Sequence, residues 1–326
     1  MILLTTCVFA QQDPATDEQQ DEAAVVIERD FAFQGEYVGE IGPDGEKQPM
    51  GMQVIALGNG QFSIKAFNGG LPGDGWNGEE HEKIDVVGQF NEENGAVEFR
   101  GYHRGDADIF ADGRMLITTP EPGYTGELNR VVRNSETLGM EPPEGAVVLF
   151  DGSSIEGWEN GRMSDDGFLM QGTTSKQTFN DHTLHVEFLL PFEPEKRGQG
   201  RGNSGLYVQG RYEVQMLDSF GLEGKHNECG GIYSVKDPDL NMCFPPMSWQ
   251  TYDIEFTAAR FDEDGETTSP ARMTVRHNGV IVHDDVELPN RKTTAGRLDP
   301  GPEPGPVYLQ DHSNQVRYRN IWAVEH

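Results

Sequence analysis

Long apolar segments are missing from this chain of 326 residues. No stretch approaches the 18 or so apolar residues of a membrane-spanning helix, so we expect no membrane span. Sustained helical periodicity is missing as well, whereas glycine (40 residues) and proline (19 residues) are frequent. This composition favours many short strands joined by turns. We therefore predict an all-β protein, and the length allows about two domains.

Basic residues are scarce. Lysine and arginine total 25 against 55 aspartates and glutamates, which gives a formal net charge of −30. A chain with this charge repels nucleic acid and anionic membrane surfaces, so we expect neither as a partner. The acidic excess also makes any single carboxylate weak evidence of catalysis, because most carboxylates must lie on solvated surfaces.

Cysteine is rare, with Cys7, Cys229 and Cys243 the whole set. The sequence has no CxxC pair and no His/Cys array with the spacing of a zinc site. Cys229 and Cys243 would close a short loop as a disulfide in an oxidising compartment. The alternative is two buried free thiols. We predict the disulfide on condition that the protein is exported.

The first ten residues are apolar but few, and no basic residue precedes them. Val8 and Ala10 fit the small-residue pattern before a signal-peptidase site. We expect residues 1–10 to be the remnant of a signal peptide, with export to the periplasm or the extracellular space. A lipid anchor on Cys7 is the less favoured alternative, because Thr6 is a poor residue before a lipidated cysteine.

Composition divides the remainder into four parts. Residues 11–29 are rich in Gln, Asp, Glu and Ala, which predicts a disordered acidic lead-in. Residues 30–133 contain hairpin signals such as Gly-Asn-Gly at 58–60, which predicts a small β-rich accessory domain. Residues 134–144 contain a Pro-Pro pair and are predicted to be a linker. The second domain is expected over 145–326.

Six short blocks of the second domain carry polar side chains at alternate positions, as a β-sandwich does when one of its faces binds sugar. The blocks are 202–208, 212–218, 249–254, 277–280, 309–312 and 319–322. In their order and in their residues, these blocks resemble the bacterial 3-keto-disaccharide hydrolase family, from about Val147 to the C-terminus. This resemblance implies a concanavalin A-like jelly-roll β-sandwich. It also implies that the preceding unit is an accessory domain.

The block at 212–218 supplies the first catalytic candidates. Glu213 and Gln215 point to one face of a strand, whereas Asp218 has the opposite parity and joins that face only through a bulge or strand end. Glu-x-Gln-x-x-Asp is similar to the Glu-x-Asp-x-x-Glu signature of laminarinase-type glycosidases on the same architecture. The amide at Gln215 argues against an ordinary retaining mechanism, which needs a second acid near Glu213.

His312 is the third catalytic candidate. Alternation puts Gln310 and His312 on one face of their segment. A histidine that is mostly neutral near pH 7 can take or give a proton. The alternative interpretation is a surface or packed histidine. We predict that Glu213, Gln215, Gln310 and His312 share one concave, solvent-accessible face.

Several polar and aromatic residues in or beside these blocks are predicted to bind substrate. They are Asn203, Gln215, Tyr233, Trp249, Gln310 and Arg319. Asn203 suits contacts with sugar hydroxyls, although the glycines around it also fit a plain turn. Trp249 would stack on a pyranose ring or pack as an edge aromatic. Arg319 would orient an oxyanion or pair with a surface acid.

The resemblance also implies a reaction. The family acts on glycosides already oxidised at C3, and the carbonyl acidifies the C2 proton. A base removes that proton, the enolate expels the C1 leaving group, and water adds back. Glu213, Asp218 and His312 would divide the roles of base and acid. Alternatively, Glu213 and His312 would hold a divalent metal ion at the carbonyl.

Three other classes of function stay open on the sequence alone. Jelly-roll domains of this kind also serve as lectin-like carbohydrate-binding modules, and a conventional laminarinase-like glycosidase is a further alternative. An interaction module that binds no sugar is a third. The acid, histidine and lysine content near the predicted site favours an enzyme acting on a carbohydrate substrate.

Overall fold

The computed structural model describes residues 26–76, 78, 82–102 and 105–326. The predicted signal-peptide remnant and residues 11–25 of the predicted lead-in lie outside this range. Residues 26–33 are helical, which corrects the predicted disorder of 26–29. Packing explains the helix, because Phe33 is buried against Phe62. None of the helices in the described ranges is long and apolar enough to cross a membrane.

The first unit is a closed antiparallel barrel in which each strand pairs with its neighbours in sequence. Its strands are β1 (Gly35–Pro43), β2 (Gln48–Gly58), β3 (Gln61–Asn68), β4 (Glu82–Asn91), β5 (Ala96–Tyr102), β6 (Gly105–Ile109), β7 (Arg114–Thr118) and β8 (Tyr124–Val131). β8 returns to pair with β1, so the barrel has no free edge. Apolar side chains from its strands, among them Tyr37, Phe62 and Leu128, fill the interior.

The hairpin predicted around 58–60 is present. Gly58 pairs with Gln61 across a two-residue turn formed by Asn59 and Gly60. Both turn residues have positive φ angles, 55° and 72°. This is the backbone that an Asn-Gly pair adopts in a tight turn matched to the twist of a hairpin.

The second unit is a two-sheet β-sandwich, as expected for a jelly roll. We call the sheet of five strands the front sheet and the sheet of seven strands the back sheet.

In the order in which the strands pair, the front sheet comprises β10 (Trp158–Glu159), β12 (Thr173–Phe179), β21 (Gly305–Leu309), β14 (Ser204–Val208) and β15 (Tyr212–Met216). In the same way, the back sheet comprises β11 (Leu169–Met170), β22 (Arg317–Glu325), β13 (His182–Leu189), β16 (Trp249–Thr257), β19 (Arg272–His277) and β20 (Val280–Glu287), with β9 (Val147–Phe150) beside β22. A small hairpin of β17 (Arg260–Phe261) and β18 (Thr267–Ser269) and a 3₁₀ turn at Gly198–Gly200 complete the unit.

One core lies between the two sheets. Val214 and Leu309 of the front sheet pack in the same cluster as Val186, Tyr252 and Ile254 of the back sheet. Since side chains alternate along a strand, the residues between these positions point away from the core. The sandwich therefore has two outer faces, one on each sheet, and they lie on opposite sides of the unit.

Polar contacts join the barrel to the sandwich. Lys65 Nζ donates to the backbone oxygen of Leu222 at 2.7 Å. Arg133 forms an ion pair of 2.5 Å with the buried Glu36 and lies over the ring of Phe244. Burial makes these contacts stronger than exposed ion pairs, because less water screens the charges.

The segment between the two units, 134–144, contains no strand and crosses the outer face of the back sheet. The Thr137 hydroxyl donates to Asp253 at 2.6 Å, and the backbone N–H of Gly139 donates to Glu187 at 2.6 Å. His185 lies between these two carboxylates, 2.6 Å from Asp253 Oδ1. The segment is therefore fixed to the sandwich by buried polar groups.

The predicted disulfide is wrong for this structure, because Cys229 and Cys243 are both free and buried. The Cys229 thiol lies 3.2 Å from the hydroxyl of Tyr252. The Cys243 thiol lies 3.6 Å from the backbone oxygen of Leu217. Each sulfur thus has a polar neighbour inside the core, and the alternative of two buried thiols is the one observed.

Candidate functional site

Polar side chains converge on the outer face of the front sheet. Tyr212, Val214 and Met216 of β15 face the core, so Glu213 and Gln215 face outwards. The antiparallel register places Tyr207 of β14 directly opposite Glu213 and Gly205 directly opposite Gln215. This neighbourhood follows from strand pairing alone, because directly opposed residues on one face lie side by side.

Glu213 is the central group of this face. Its side chain is hydrogen-bonded by the Tyr207 hydroxyl. The Gln215 amide lies 2.9 Å from Glu213 Oε1, in the amide orientation that lets its nitrogen donate. Glu213 is only 2% exposed. Burial raises the pKa of Glu213 to about 7, and the Tyr207 hydrogen bond offsets part of that rise.

A chain of hydrogen bonds supports Tyr207. Gln310, which follows β21, donates from Nε2 to the Tyr207 hydroxyl at 3.2 Å. Burial and the adjacent Glu213 raise the pKa of Tyr207, so the phenol keeps its proton. The arrangement Gln310–Tyr207–Glu213 therefore fixes the direction from which the phenol donates to the carboxylate.

The outer edge of β15 is covered by two other segments. The backbone N–H of Tyr233 donates to the backbone oxygen of Glu213 at 3.0 Å. The Glu213 N–H donates to the hydroxyl of Thr293 at 3.1 Å. The backbone of Tyr233 thus lies beside that of Glu213, and the residue is half-buried. Its role in substrate binding stays a prediction.

The site is more enclosed than the predicted open face, since Gln215 is 1% exposed and Asn203 is 1% exposed. Gln199 in the 3₁₀ turn explains the enclosure. Its backbone oxygen accepts from Asn203 at 2.7 Å, and its side chain donates to the backbone oxygen of Asn227 at 2.8 Å. Asn203 therefore belongs to the wall of the site, where its amide holds this turn in place.

Asp218 does not lie on this face, which corrects its predicted catalytic placement. Its carboxylate forms a buried ion pair with Arg201, with Nε 2.6 Å from Oδ2. Arg201 also donates to the backbone oxygen of Ala56 in the barrel at 3.1 Å. Asp218 is thus occupied at the junction of the two units, where removal of one partner would leave a buried charge.

His312 lies in an exposed turn just beyond Gln310. Within the described ranges, no group forms a hydrogen bond or ion pair with its ring. The described residues assemble no group of three or more His, Cys, Asp or Glu side chains able to hold an ion. A metal ion held by Glu213 and His312 with water ligands stays a prediction. We therefore derive no step through a metal.

Trp249 and Arg319 lie on the other outer face, which corrects their predicted place in the site. Arg319 pairs with Glu187 of the back sheet at 2.7 Å. Its guanidinium lies 4.0 Å from the ring centre of Trp249, which in turn contacts Phe168 edge-on. Alternation gives the inward or outward direction of a side chain, but it does not tell which of two sheets carries the strand.

Several residues of the front face were not predicted from the sequence. Tyr207 and Gly205 alternate within a block already noted, so their parity was the signal that could have found them. Tyr308 of β21 lies opposite Tyr207, with the ring centres 5.1 Å apart. Arg297 lies in a loop, and its guanidinium is 3.7 Å from the ring centre of Tyr308. No sequence pattern pointed to this arginine.

Comparison with known proteins agrees with the two-sheet sandwich of the second unit. Residues 145–324 match the model of a family described as a 3-keto-alpha-glucoside-1,2-lyase-like domain. The chain belongs to this family. No curated protein matches the chain significantly.

One solved structure supports the fold of the second unit. A crystal structure from Parabacteroides distasonis ATCC 8503, described as a candidate glycosyl hydrolase, is 33% identical with a TM-score of 0.51, over 56% of this chain and 85% of that one. A second from the same organism, described in the same way, is 18% identical with a TM-score of 0.41, over 56% of this chain and 94% of that one. The second is too dissimilar to support an argument.

Proposed function

We propose that this protein cleaves glycosides oxidised at C3, with Glu213 as the base that removes the C2 proton. The observation that carries the proposal is the buried Glu213 carboxyl, whose pKa is raised to about 7 and whose direction is fixed by two polar neighbours. A general base is most effective when its pKa lies near the working pH. Family membership supports the choice of a 3-keto-glycoside as substrate.

The proposed reaction has two stages. The ionised Glu213 takes the proton from C2, and the electrons of the C–H bond form an enolate with the C3 carbonyl. The enolate expels the aglycone oxygen from C1, and the proton held by Glu213 passes to that oxygen. Water then adds to C1 while C2 regains a proton. The sum is hydrolysis, and the enzyme returns to its starting state.

Neighbouring residues act on Glu213 in this scheme. The Tyr207 hydroxyl and the Gln215 amide both donate to the carboxylate, which holds its plane and leaves its remaining acceptor positions for the substrate. Gln310 holds Tyr207 in turn. Such preorganised dipoles lower the cost of arranging charge at the moment of proton transfer.

His312 is the second candidate for protonating the leaving oxygen. It follows Gln310 and its side chain is exposed, so a bound substrate would be its partner. The variant His312→Asn tests this role. A fall in rate of about 10² or more would move the acid step from Glu213 to His312. A rate within a few fold of wild type would leave both proton transfers with Glu213.

Two of the alternative functions, a conventional glycosidase and a lectin-like module, have less support. A retaining glycosidase needs two carboxyl groups about 5–5.5 Å apart. The residue beside Glu213 is the amide Gln215, and the other acid of the motif, Asp218, is in an ion pair with Arg201. A lectin-like module would have no use for a buried carboxyl with a pKa of about 7, because that carboxyl weakens the fold when it ionises.

The direct test compares Glu213→Gln with Glu255→Gln on a 3-keto-disaccharide. Glu255 is an exposed acid on the back sheet, so the same substitution there is a matched control. We expect Glu213→Gln to lose about 10² or more in kcat while Glu255→Gln stays near wild type. Full activity of Glu213→Gln would refute the assignment of the base.

A further inference from the structure

A row of side chains runs from Glu213 across the outer face of the front sheet. Tyr207 lies opposite Glu213, Tyr308 lies opposite Tyr207, and Thr174 lies opposite Tyr308. Four adjacent strands contribute one residue each. Neighbouring strands are about 4.8 Å apart, so the row is about 14 Å long. Proton transfer at Glu213 uses only one end of it.

Arg297 marks the other end of the row. Its guanidinium stacks on Tyr308, and Nη1 donates to the Thr174 hydroxyl at 3.0 Å. The side chain is exposed, and among the described residues no carboxylate pairs with it.

The backbone around Arg297 is fixed. The N–H groups of Arg297 and Leu298 both donate to the backbone oxygen of Gly210, at 2.8 and 3.1 Å. A guanidinium has five N–H donors, and the Thr174 hydroxyl uses one of them. The remaining donors are held in one place before any ligand arrives, which lowers the entropy lost on binding.

We propose that Arg297, Tyr308 and Thr174 form a second sugar subsite, which binds the leaving-group ring of a two-ring substrate. This inference rests on the proposed function, because it assumes that the oxidised ring lies at Glu213. The free N–H groups of Arg297 donate to hydroxyl oxygens of the second ring, and Tyr308 supports the guanidinium from below. The ligand class is therefore a disaccharide whose second ring carries free hydroxyls.

The test is the variant Arg297→Met, which keeps an apolar stem over Tyr308 but removes the donors. Its kinetics are measured on a 3-keto-disaccharide and on the methyl glycoside of the same oxidised sugar. We expect kcat/KM on the disaccharide to fall by about tenfold or more, mainly through KM, and the value on the methyl glycoside to stay within about twofold. Arg276→Met on the back sheet is the control and should change neither value.

Equal losses on both substrates, or no loss on either, would overturn the subsite. If the wild type turned over neither substrate, the proposed reaction would be wrong, and calorimetric binding of the unoxidised disaccharide would then decide about the subsite. Binding by the wild type that is weakened about tenfold in Arg297→Met would support it. Equal binding by both proteins, or no binding by the wild type, would reject it.

Discussion

The Glu213 carboxylate occupies the space that a side chain on Gly205 would need. A Cβ atom built on Gly205 would overlap Glu213 Oε1 and come within 3.0 Å of Tyr207 Cε2. Both atoms belong to side chains that are almost fully buried, so neither has room to move aside. The absence of a side chain at Gly205 is thus what lets the carboxylate lie against the sheet.

We expect Gly205→Ala to displace Glu213 and to lower kcat on a 3-keto-glycoside by about tenfold or more, because small misplacements of a reacting group are costly. Gly157→Ala is the control, since its added Cβ would be 3.7 Å from the nearest atom. Steady-state kinetics and thermal unfolding of both variants check the expectation. Wild-type kinetics of Gly205→Ala would show that the position of Glu213 does not matter.

The pH dependence of the reaction should follow Glu213. Since the ionised carboxylate is the base, kcat/KM should rise as pH rises through about 7. The Tyr207 hydrogen bond lowers the pKa of Glu213, so Tyr207→Phe should move the midpoint to higher pH. Tyr124→Phe in the barrel is the control. An unchanged midpoint in Tyr207→Phe would show that Tyr207 does not lower the pKa of Glu213.

Stability should also report on Glu213. Below its ordinary pKa of 4.5 the carboxyl is protonated in both the folded and the unfolded chain, whereas between 4.5 and about 7 only the folded chain keeps the proton. Wild-type stability therefore falls over this window relative to Glu213→Gln, by about 2–3 kcal/mol. Denaturant unfolding at pH 4.5 and pH 8 measures the difference, and Glu255→Gln should show none. A constant gap between wild type and Glu213→Gln would contradict the raised pKa.

The buried cluster of His185, Asp253 and Glu187 under residues 134–144 also predicts that stability falls as pH rises, over a window that begins near the ordinary histidine pKa of 6.5. Burial of the His185 ring opposes its protonation, but hydrogen bonds with Asp253 and Glu187 outweigh burial and raise its pKa above 6.5. The stabilisation by charged His185 is therefore complete below pH 6.5 and is lost as pH rises through the higher folded pKa.

Asp253→Asn removes one of the two carboxylates that raise the pKa of His185. We expect this variant to lower the pKa of His185 and to lose stability mainly at the acidic side of neutrality. NMR titration of the imidazole and thermal unfolding from pH 5.5 to 8 test both effects. The exposed Glu255 on the same strand gives the control, Glu255→Gln. An unchanged imidazole titration in Asp253→Asn would remove Asp253 as a cause.

The sequence was sufficient to predict the hairpin at 58–60 and the common face of Glu213 and Gln215, because they depend on turn chemistry and local alternation. The jelly roll was expected from the resemblance of the six blocks to a known family. The sequence was not sufficient to predict on which outer face Trp249 and Arg319 lie, since alternation does not assign a strand to the front or the back sheet.

The places of Asp218 and Arg297 in the structure could not be predicted from the sequence, for another reason. The ion pair of Asp218 with Arg201 and the stacking of Arg297 on Tyr308 arise from loops whose course is set by tertiary packing. The thiols of Cys229 and Cys243 are a similar case, because the separation of two cysteines along the chain does not determine whether they bond.

The central claim is that Glu213 removes the C2 proton of a 3-keto-glycoside, and a reaction in D₂O tests it most directly. The product is examined by NMR early in the reaction, beside 3-keto product incubated without enzyme to measure spontaneous exchange. We predict deuterium at C2 well above that background, its loss in Glu213→Gln, and little turnover of the unoxidised parent sugar. Product without deuterium at C2, together with comparable turnover of the parent sugar, would contradict elimination and indicate a conventional glycosidase.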